Sequence, residues 1–142
     1  MPQSQQGRLR RSAVFELSGA ADPSEPVPVQ VELAYEAHDP YAVQTSFRCG
    51  RGDWVVWVFS RDLLSRGIVA AAGEGDIRIQ PVDNRTVELE LCSPDGHVHV
   101  LAPRSTLQEF LRRTHELVAA GTEGDWLDLD HTVRALLSGD LG

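Results

Sequence analysis

Alternation of apolar and polar positions predicts most of the secondary structure of this chain. The clearest run spans residues 27–35, where valine, leucine and tyrosine side chains recur at odd positions. A period of two sustained over such a length is typical of a half-buried β-strand. Comparable runs predict further strands at residues 12–18, 41–48, 77–82, 86–91 and 97–101.

The segment 54–59, with the sequence WVVWVF, departs from this alternation because both of its faces are apolar. Trp54 and Val56 point to one face, and Trp57 and Phe59 to the other. A strand that is apolar on both faces must be covered on both. The pattern predicts a central strand whose side chains lie in the core or in an interface between subunits.

A short helix is predicted directly after this strand. Ser60 is a favourable N-cap residue, and Asp62 and Arg66 form an acid-before-base pair four residues apart. Gly67 stands where a glycine ends a helix.

Two more helices are predicted towards the end of the chain. The second helix opens at Pro103, and its apolar positions follow a spacing of three and four residues, with Glu109–Arg113 and Arg112–Glu116 paired on the solvent side. The last helix is capped by Asp130. Its predicted inner face consists of Val133, Leu136 and Leu137.

The order of these elements predicts an α+β fold, because strands followed by a helix occur twice in succession. We expect a curved antiparallel sheet, or sheets, built from two similar halves of a strand meander plus a helix, with C-terminal helices. Residues 1–11, which contain Arg8, Arg10 and Arg11, lack apolar periodicity and are predicted to be a flexible arm. Residues 12–142 are predicted to form a single domain.

Charge and composition narrow the range of partners. The net charge is −8, and all 13 basic residues are arginine. A field of this sign repels phosphate backbones unless the arginines are segregated. The start of the chain has no apolar core typical of a secretory signal, and the longest apolar run is too short for a membrane helix. We therefore expect a cytoplasmic protein without membrane insertion.

Candidate chemistry is sparse. His97 and His99 share a face of one strand, but the sequence reveals no third metal ligand, so they are interpreted as surface histidines on an edge strand. Cys49 and Cys92 are interpreted as reduced, buried thiols. Gly73–Asp76 is interpreted as a turn, because it lacks the lysine and hydroxyl of a phosphate-binding loop. No catalytic motif is apparent, so we expect a protein that is not an enzyme and needs no cofactor.

Exposed charges on the predicted helices and loops are the candidates for partner binding. These residues are Arg61, Asp62, Arg112, Arg113 and Glu123. An alternative function is single-strand nucleic-acid binding, in which a tryptophan would stack on bases while Arg78, Arg85 and the N-terminal arginines contact phosphates.

Several blocks of the sequence resemble the SsgA-like proteins, which control sporulation and cell division in actinobacteria. The resemblance covers residues 12–138 and rests on blocks in the family's order. These blocks are DPYAV at 39–43, WVFSRDLL at 57–64, GEGDIRI at 73–79, SPDG at 93–96, LQEFLRRT at 107–114 and the GTE and DLD elements near 121–130.

This resemblance implies a non-enzymatic adaptor that helps to localise the division machinery at the septum. Within the family, the chain is most similar to the member that recruits the tubulin-like protein FtsZ, and a paralogous SsgA-like protein is a second implied partner. The family fold resembles whirly-type modules that bind single-stranded nucleic acid. The resemblance also implies a homo-oligomer, with three subunits expected.

Overall fold

The computed structural model describes residues 7–18 and 27–124 of the chain. These residues form eight strands and two helices in an order that repeats the combination of four strands and one helix. The elements are β1 (Arg8–Ser18), β2 (Val27–Glu36), β3 (Ala42–Arg48), β4 (Val55–Ser60), α1 (Arg61–Val69), β5 (Ala72–Glu74), β6 (Ile77–Pro81), β7 (Thr86–Ser93), β8 (Gly96–Pro103) and α2 (Arg104–Leu117).

The strands form one antiparallel sheet that is curved and nearly closed. Its strand order is β4-β3-β2-β1-β8-β7-β6-β5. Each half of the chain forms a meander, and the pairing of β1 with β8 joins the two halves. The predicted α+β class and the two-halves organisation are confirmed. The last predicted helix lies outside the described residues.

Two strand positions differ from the prediction. β4 was expected at the centre of the sheet because both of its faces are apolar, yet it lies at one edge. β8, which carries His97 and His99, was expected at an edge and instead lies between β1 and β7. The apolar pattern of a strand indicates which faces favour burial, but it does not specify which strands lie beside it.

The predicted N-terminal arm is wrong for residues 8–11, which belong to β1. Leu9 is buried and pairs with Tyr35 of β2, and the flanking arginines face acidic residues on that strand. Arg8 lies 3.2 Å from Glu36, and Arg10 lies 3.1 Å from Glu32. One buried leucine and a ladder of backbone hydrogen bonds therefore order a segment that is otherwise polar.

Helix α1 begins as its sequence predicts. The Ser60 hydroxyl accepts a hydrogen bond from the backbone N–H of Leu63 and donates one to Glu74 of β5, with an O···O distance of 2.8 Å. Gly67, however, does not end the helix. It lies buried within α1, where a Cβ atom would approach the Cβ of Ile79 to 2.4 Å. The glycine is required because α1 packs closely against β6.

The core lies where one face of the sheet packs against the two helices. Fully buried side chains come from both halves of the chain, and the largest are Tyr35, Phe15, Phe110, Leu33, Leu63, Leu64, Ile79, Leu89 and Leu107. Of the four residues assigned to the core or an interface, Phe59 is in the core. No helix among the described residues is long and apolar enough to span a membrane.

Candidate interaction surfaces

A cavity of about 380 Å³, lined mainly by polar and charged residues, lies where the start of α1 meets the end of α2. We call it the α1–α2 pocket. Its lining brings together three of the five predicted contact residues with side chains that the sequence did not single out. The lining residues are Pro40, Tyr41, Ser60, Arg61, Asp62, Ser65, His115, Ala120, Gly121 and Glu123.

Arg61 forms the inner wall of this pocket and is buried, so its predicted exposure is wrong. Its guanidinium donates hydrogen bonds to the carbonyl oxygens of Thr114 (3.1 Å) and Val118 (2.6 Å) and to Glu123 Oε1 (2.6 Å). The last carbonyls of a helix have no partner within the helix, and they carry partial negative charge. Arg61 therefore joins α1 to the C-terminal end of α2.

Glu123 lies in the loop after α2, and its side chain is largely buried. Its carboxylate accepts hydrogen bonds from the backbone N–H of Gly121 and from Arg61. Desolvation opposes ionisation, but backbone hydrogen bonds and the Arg61 guanidinium outweigh it and hold the pKa of Glu123 below its usual value. Glu123 thus orders the loop by an ionic contact inside the fold.

The remaining polar groups of the pocket were missed by sequence reasoning. Tyr41 is 52% exposed at the rim. His115 faces the pocket from α2, and burial, followed by the nearby Arg61 charge, lowers its pKa. Behind the pocket, burial raises the pKa of Tyr35 to about 12, and its hydroxyl donates to the Pro40 carbonyl. No local motif marks these residues, because they converge only through the packing of distant elements.

The two predicted contact residues on α2 lie apart from the pocket. Arg112 pairs with Glu116, and Arg113 pairs with Glu109 at 3.6 Å, as the helical spacing predicts. Asp62 similarly pairs with Arg66 at 2.8 Å on the solvent side of α1. Partly exposed pairs of this kind contribute little to stability. The five predicted residues therefore do not form one continuous site.

A second surface is formed by the exposed residues of β4 and by Trp54, which precedes the strand. We call Trp54, Val55, Val56 and Val58 the β4 strip; their side chains are 43–58% exposed. The strand is paired with β3 on one side, and among the described residues nothing pairs with its other side. An apolar edge strand is a template for pairing with another chain.

Trp57 faces the interior and lines an apolar cavity of about 430 Å³ at the end of the sheet far from α1. Phe47, Leu91, Val98 and Val100 contribute to the same lining, and Asp53 is its charged member. None of the described residues that line this cavity is an arginine. The cavity therefore lacks the cationic groove that single-strand binding requires.

The arginines proposed for nucleic-acid contact are not segregated into a basic strip. Arg8, Arg10 and Arg11 each lie within 4.0 Å of a glutamate. Arg78 is opposite Glu90 in the pairing of β6 with β7. Acidic neighbours offset the positive charge that would attract phosphates. The arrangement gives no support to the nucleic-acid alternative.

Ionisable groups also converge on the outer face of β7 and β8. The Cys92 sulfur lies 3.1 Å from His97 Nδ1, and Glu90 lies beside both. Sequence reasoning found no third ligand to accompany the histidines, because the additional groups come from the neighbouring strand. Both cysteines are free, but the prediction that they are buried was wrong: Cys49 is exposed and Cys92 is half-buried.

These features describe an α+β domain whose candidate contacts are a pocket with charged residues at a helix junction and an apolar edge strand. Comparison with known proteins gives its family. Residues 29–123 match the family model described as "Streptomyces sporulation and cell division protein, SsgA". The chain belongs to this family.

Relatives cover almost the whole chain. It is 47% identical to the sporulation-specific cell division protein SsgB of Saccharopolyspora erythraea over 94% of both chains. A crystal structure of an SsgA-like sporulation-specific cell division protein from Thermobifida fusca superimposes with a TM-score of 0.84 at 38% identity, covering 93% of this chain and 98% of the other. A second structure, described by the words "Mutations in SsgB correlate to longitudinal cell division during sporulation of Streptomyces coelicolor", gives a TM-score of 0.78 at 34% identity, covering 87% and 99%.

Proposed function

We propose that this protein is a non-enzymatic adaptor in sporulation-specific cell division. It concentrates at the division septum from the cytoplasm and helps to recruit the division machinery, including FtsZ, together with a paralogous SsgA-like protein. The observation that carries this proposal is the 47% identity to an SsgB over 94% of both chains. The architecture agrees with this role, because its prominent features are surfaces suited to contacts between proteins.

The α1–α2 pocket is the proposed contact for a partner protein. Tyr41 and Asp62 at its rim are exposed and available to a partner. Arg61 and Glu123 support this contact indirectly, because their charged groups form hydrogen bonds inside the fold. These bonds hold the helix ends and the loop in place. Aromatic side chains at the edge of a preformed pocket are frequent anchors in interfaces. The solvent face of α2, with Arg112 and Arg113, is a second proposed contact.

The β4 strip is the proposed contact between copies of the chain. Burying its valines and Trp54 against a second copy would remove apolar surface from water. The expected assembly is a trimer. The last residue of β4, Ser60, lines the α1–α2 pocket, but none of the four residues of the strip does. Such an assembly would therefore leave Tyr41 and Asp62 for other proteins.

The proposal is tested by replacing the SsgB of Streptomyces coelicolor with this chain and imaging fluorescently labelled FtsZ in sporulating cells. We expect regular septal FtsZ with the wild-type chain, and fewer septa with Tyr41→Ala combined with Asp62→Ala. Arg10→Ala, an exposed change on β1, is the matched control. Arg112→Ala with Arg113→Ala tests the contribution of α2.

Purified proteins separate recruitment from indirect effects in the cell. Co-sedimentation with polymerised FtsZ should retain the wild-type chain and should retain less of the Tyr41/Asp62 variant. Normal septation with that variant would refute the pocket as the contact. Absence of septal localisation for a stably expressed wild-type chain would refute the proposed function itself.

A further inference from the structure

Two facing pairs of side chains that can bind metals lie on the outer face of the hairpin formed by β7 and β8. Cys92 stands directly opposite His97 in the strand pairing, and Glu90 stands opposite His99. Alternation along each strand brings all four side chains to the same face. This cluster lies on the second half of the sheet, apart from both interaction surfaces, and it does not depend on the proposed function.

Three of these groups form a compact triangle of ligand atoms. Cys92 Sγ is 3.1 Å from His97 Nδ1 and 3.5 Å from Glu90 Oε1, and His97 Nδ1 is 3.4 Å from the same carboxylate oxygen. Tetrahedral zinc with ordinary bond lengths separates neighbouring ligand atoms by about 3.3–3.6 Å. The three edges of the triangle therefore match one face of a zinc coordination tetrahedron within about half an ångström.

The donor set also selects the kind of metal. Thiolate sulfur and imidazole nitrogen favour zinc over magnesium or calcium, which prefer oxygen ligands. A carboxylate is a common third zinc ligand. Because Glu90 and Cys92 are half-buried and His97 is exposed, an ion can enter from solvent without opening the core.

We propose that Glu90, Cys92 and His97 form a zinc-binding site on the outer face of β7 and β8. His99 and Glu88, with 3.4 Å between Nδ1 and Oε1, extend the cluster from the same face. Zinc would link β7 to β8 close to their connecting turn and offset the negative charge of the neighbouring glutamates. Water or a group from another molecule would occupy the fourth coordination position of the zinc ion.

The same geometry does not favour a cysteine nucleophile. Burial, followed by the hydrogen bond to Glu90 and the charge of that carboxylate, raises the pKa of Cys92. A reactive cysteine instead has a lowered pKa. A divalent cation between these ligands reverses the electrostatic balance, since it stabilises the thiolate and brings the carboxylate into coordination.

The test uses the full chain without an affinity tag, stripped with chelator and kept reduced. Titration with zinc chloride should show binding of one ion per chain by calorimetry. Cobalt chloride should produce the near-ultraviolet charge-transfer band of a cobalt–thiolate bond and the visible bands of a tetrahedral ion. Cys92→Ser should abolish the charge-transfer band, and Cys92→Ser and His97→Gln should each weaken zinc binding about tenfold or more.

Matched controls are Cys49→Ser and His38→Gln, which remove the same residue types at exposed positions outside the cluster. Both should bind zinc like the wild-type chain. Circular dichroism and the thermal midpoint of the metal-free variants verify folding. Absence of stoichiometric binding to the wild-type chain would overturn the proposal. Binding that depends on His99 but is unchanged by Cys92→Ser would overturn the assigned ligands.

Discussion

Arg61 and Glu123 lie 62 positions apart in the sequence, and their side chains form a 2.6 Å ion pair inside the fold. Both residues have the charge and helix-end location expected of surface contacts. The structure instead uses them to fix the relative positions of α1, α2 and the following loop. Their substitution should therefore change stability first, and partner binding as a consequence.

Arg61→Ala is expected to destabilise the protein by about 3–5 kcal/mol, because it leaves the Glu123 carboxylate and the Val118 carbonyl without the guanidinium that they contact. Arg61→Lys should lower the free energy of unfolding by about 1.5 kcal/mol or more, because one ammonium group cannot make all the hydrogen bonds of a planar guanidinium. Urea unfolding followed by fluorescence measures both changes. Arg112→Ala is the control and should shift the free energy of unfolding by less than about 1 kcal/mol. Equal losses for Arg61→Ala and Arg112→Ala would contradict the assigned role.

Gly67→Ala should destabilise the protein by about 1–3 kcal/mol although alanine favours helices by about 1 kcal/mol over glycine. The added methyl group would meet Ile79 at 2.4 Å, so α1 must move away from β6. Thermal unfolding and urea unfolding both report this change. Ser65→Ala, in the same helix at a half-buried position, is the control. A stabilised Gly67→Ala variant would contradict the close packing of α1 against β6 at this position.

Acidification should weaken the Glu123 contact. A carboxyl group whose pKa is lower in the folded state stabilises the fold above its unfolded pKa of about 4.3, and this stabilisation is lost as pH falls through the folded pKa. The difference in unfolding free energy between wild type and Glu123→Gln should be constant above about pH 5.5 and should narrow below about pH 4.3.

His115 needs a separate control because its pKa is also lowered, through burial and then through the Arg61 charge. The stability that neutral His115 contributes to the fold is lost as pH falls below about 6.5, because protonation of His115 then favours the unfolded chain. The comparison at position 123 is therefore made in a His115→Gln background. An unchanged difference down to pH 3 would contradict the lowered pKa of Glu123.

The β4 strip should control self-association. Val56→Lys with Val58→Lys places two charges on an exposed edge strand and should shift the assembly towards monomer. Light scattering coupled to size exclusion measures the mass at several concentrations. Val14→Lys, at a side chain that is 63% exposed on β1, is the matched control. If the wild-type chain were monomeric, or the double variant remained assembled, the strip would not be the contact between copies.

Short-range patterns in the sequence determined most of the elements. Period-two alternation identified six of the strand segments, and the apolar run at residues 54–59 identified β4. Ser60 identified the start of α1, and the four-residue spacings identified Asp62–Arg66 and Glu109–Arg113. These features were readable because each depends on backbone geometry within a few residues. The first part of β1 escaped detection because its order depends on pairing with β2, and β5 because it is only three residues long.

Tertiary structure decided which of these residues are exposed to solvent and which contact one another. The sequence marked residues 54–59 as apolar, but strand order placed β4 at an edge and left its valines exposed. Burial of Arg61 depends on Thr114, and the triangle around Cys92 depends on the register of β7 with β8. Periodicity fixes the face on which a side chain lies, whereas the neighbour it meets is fixed by packing between elements distant in the chain. That difference explains why the family and most elements could be predicted from the sequence. The geometry of the α1–α2 pocket and of the cluster around Cys92 became apparent only in the folded structure.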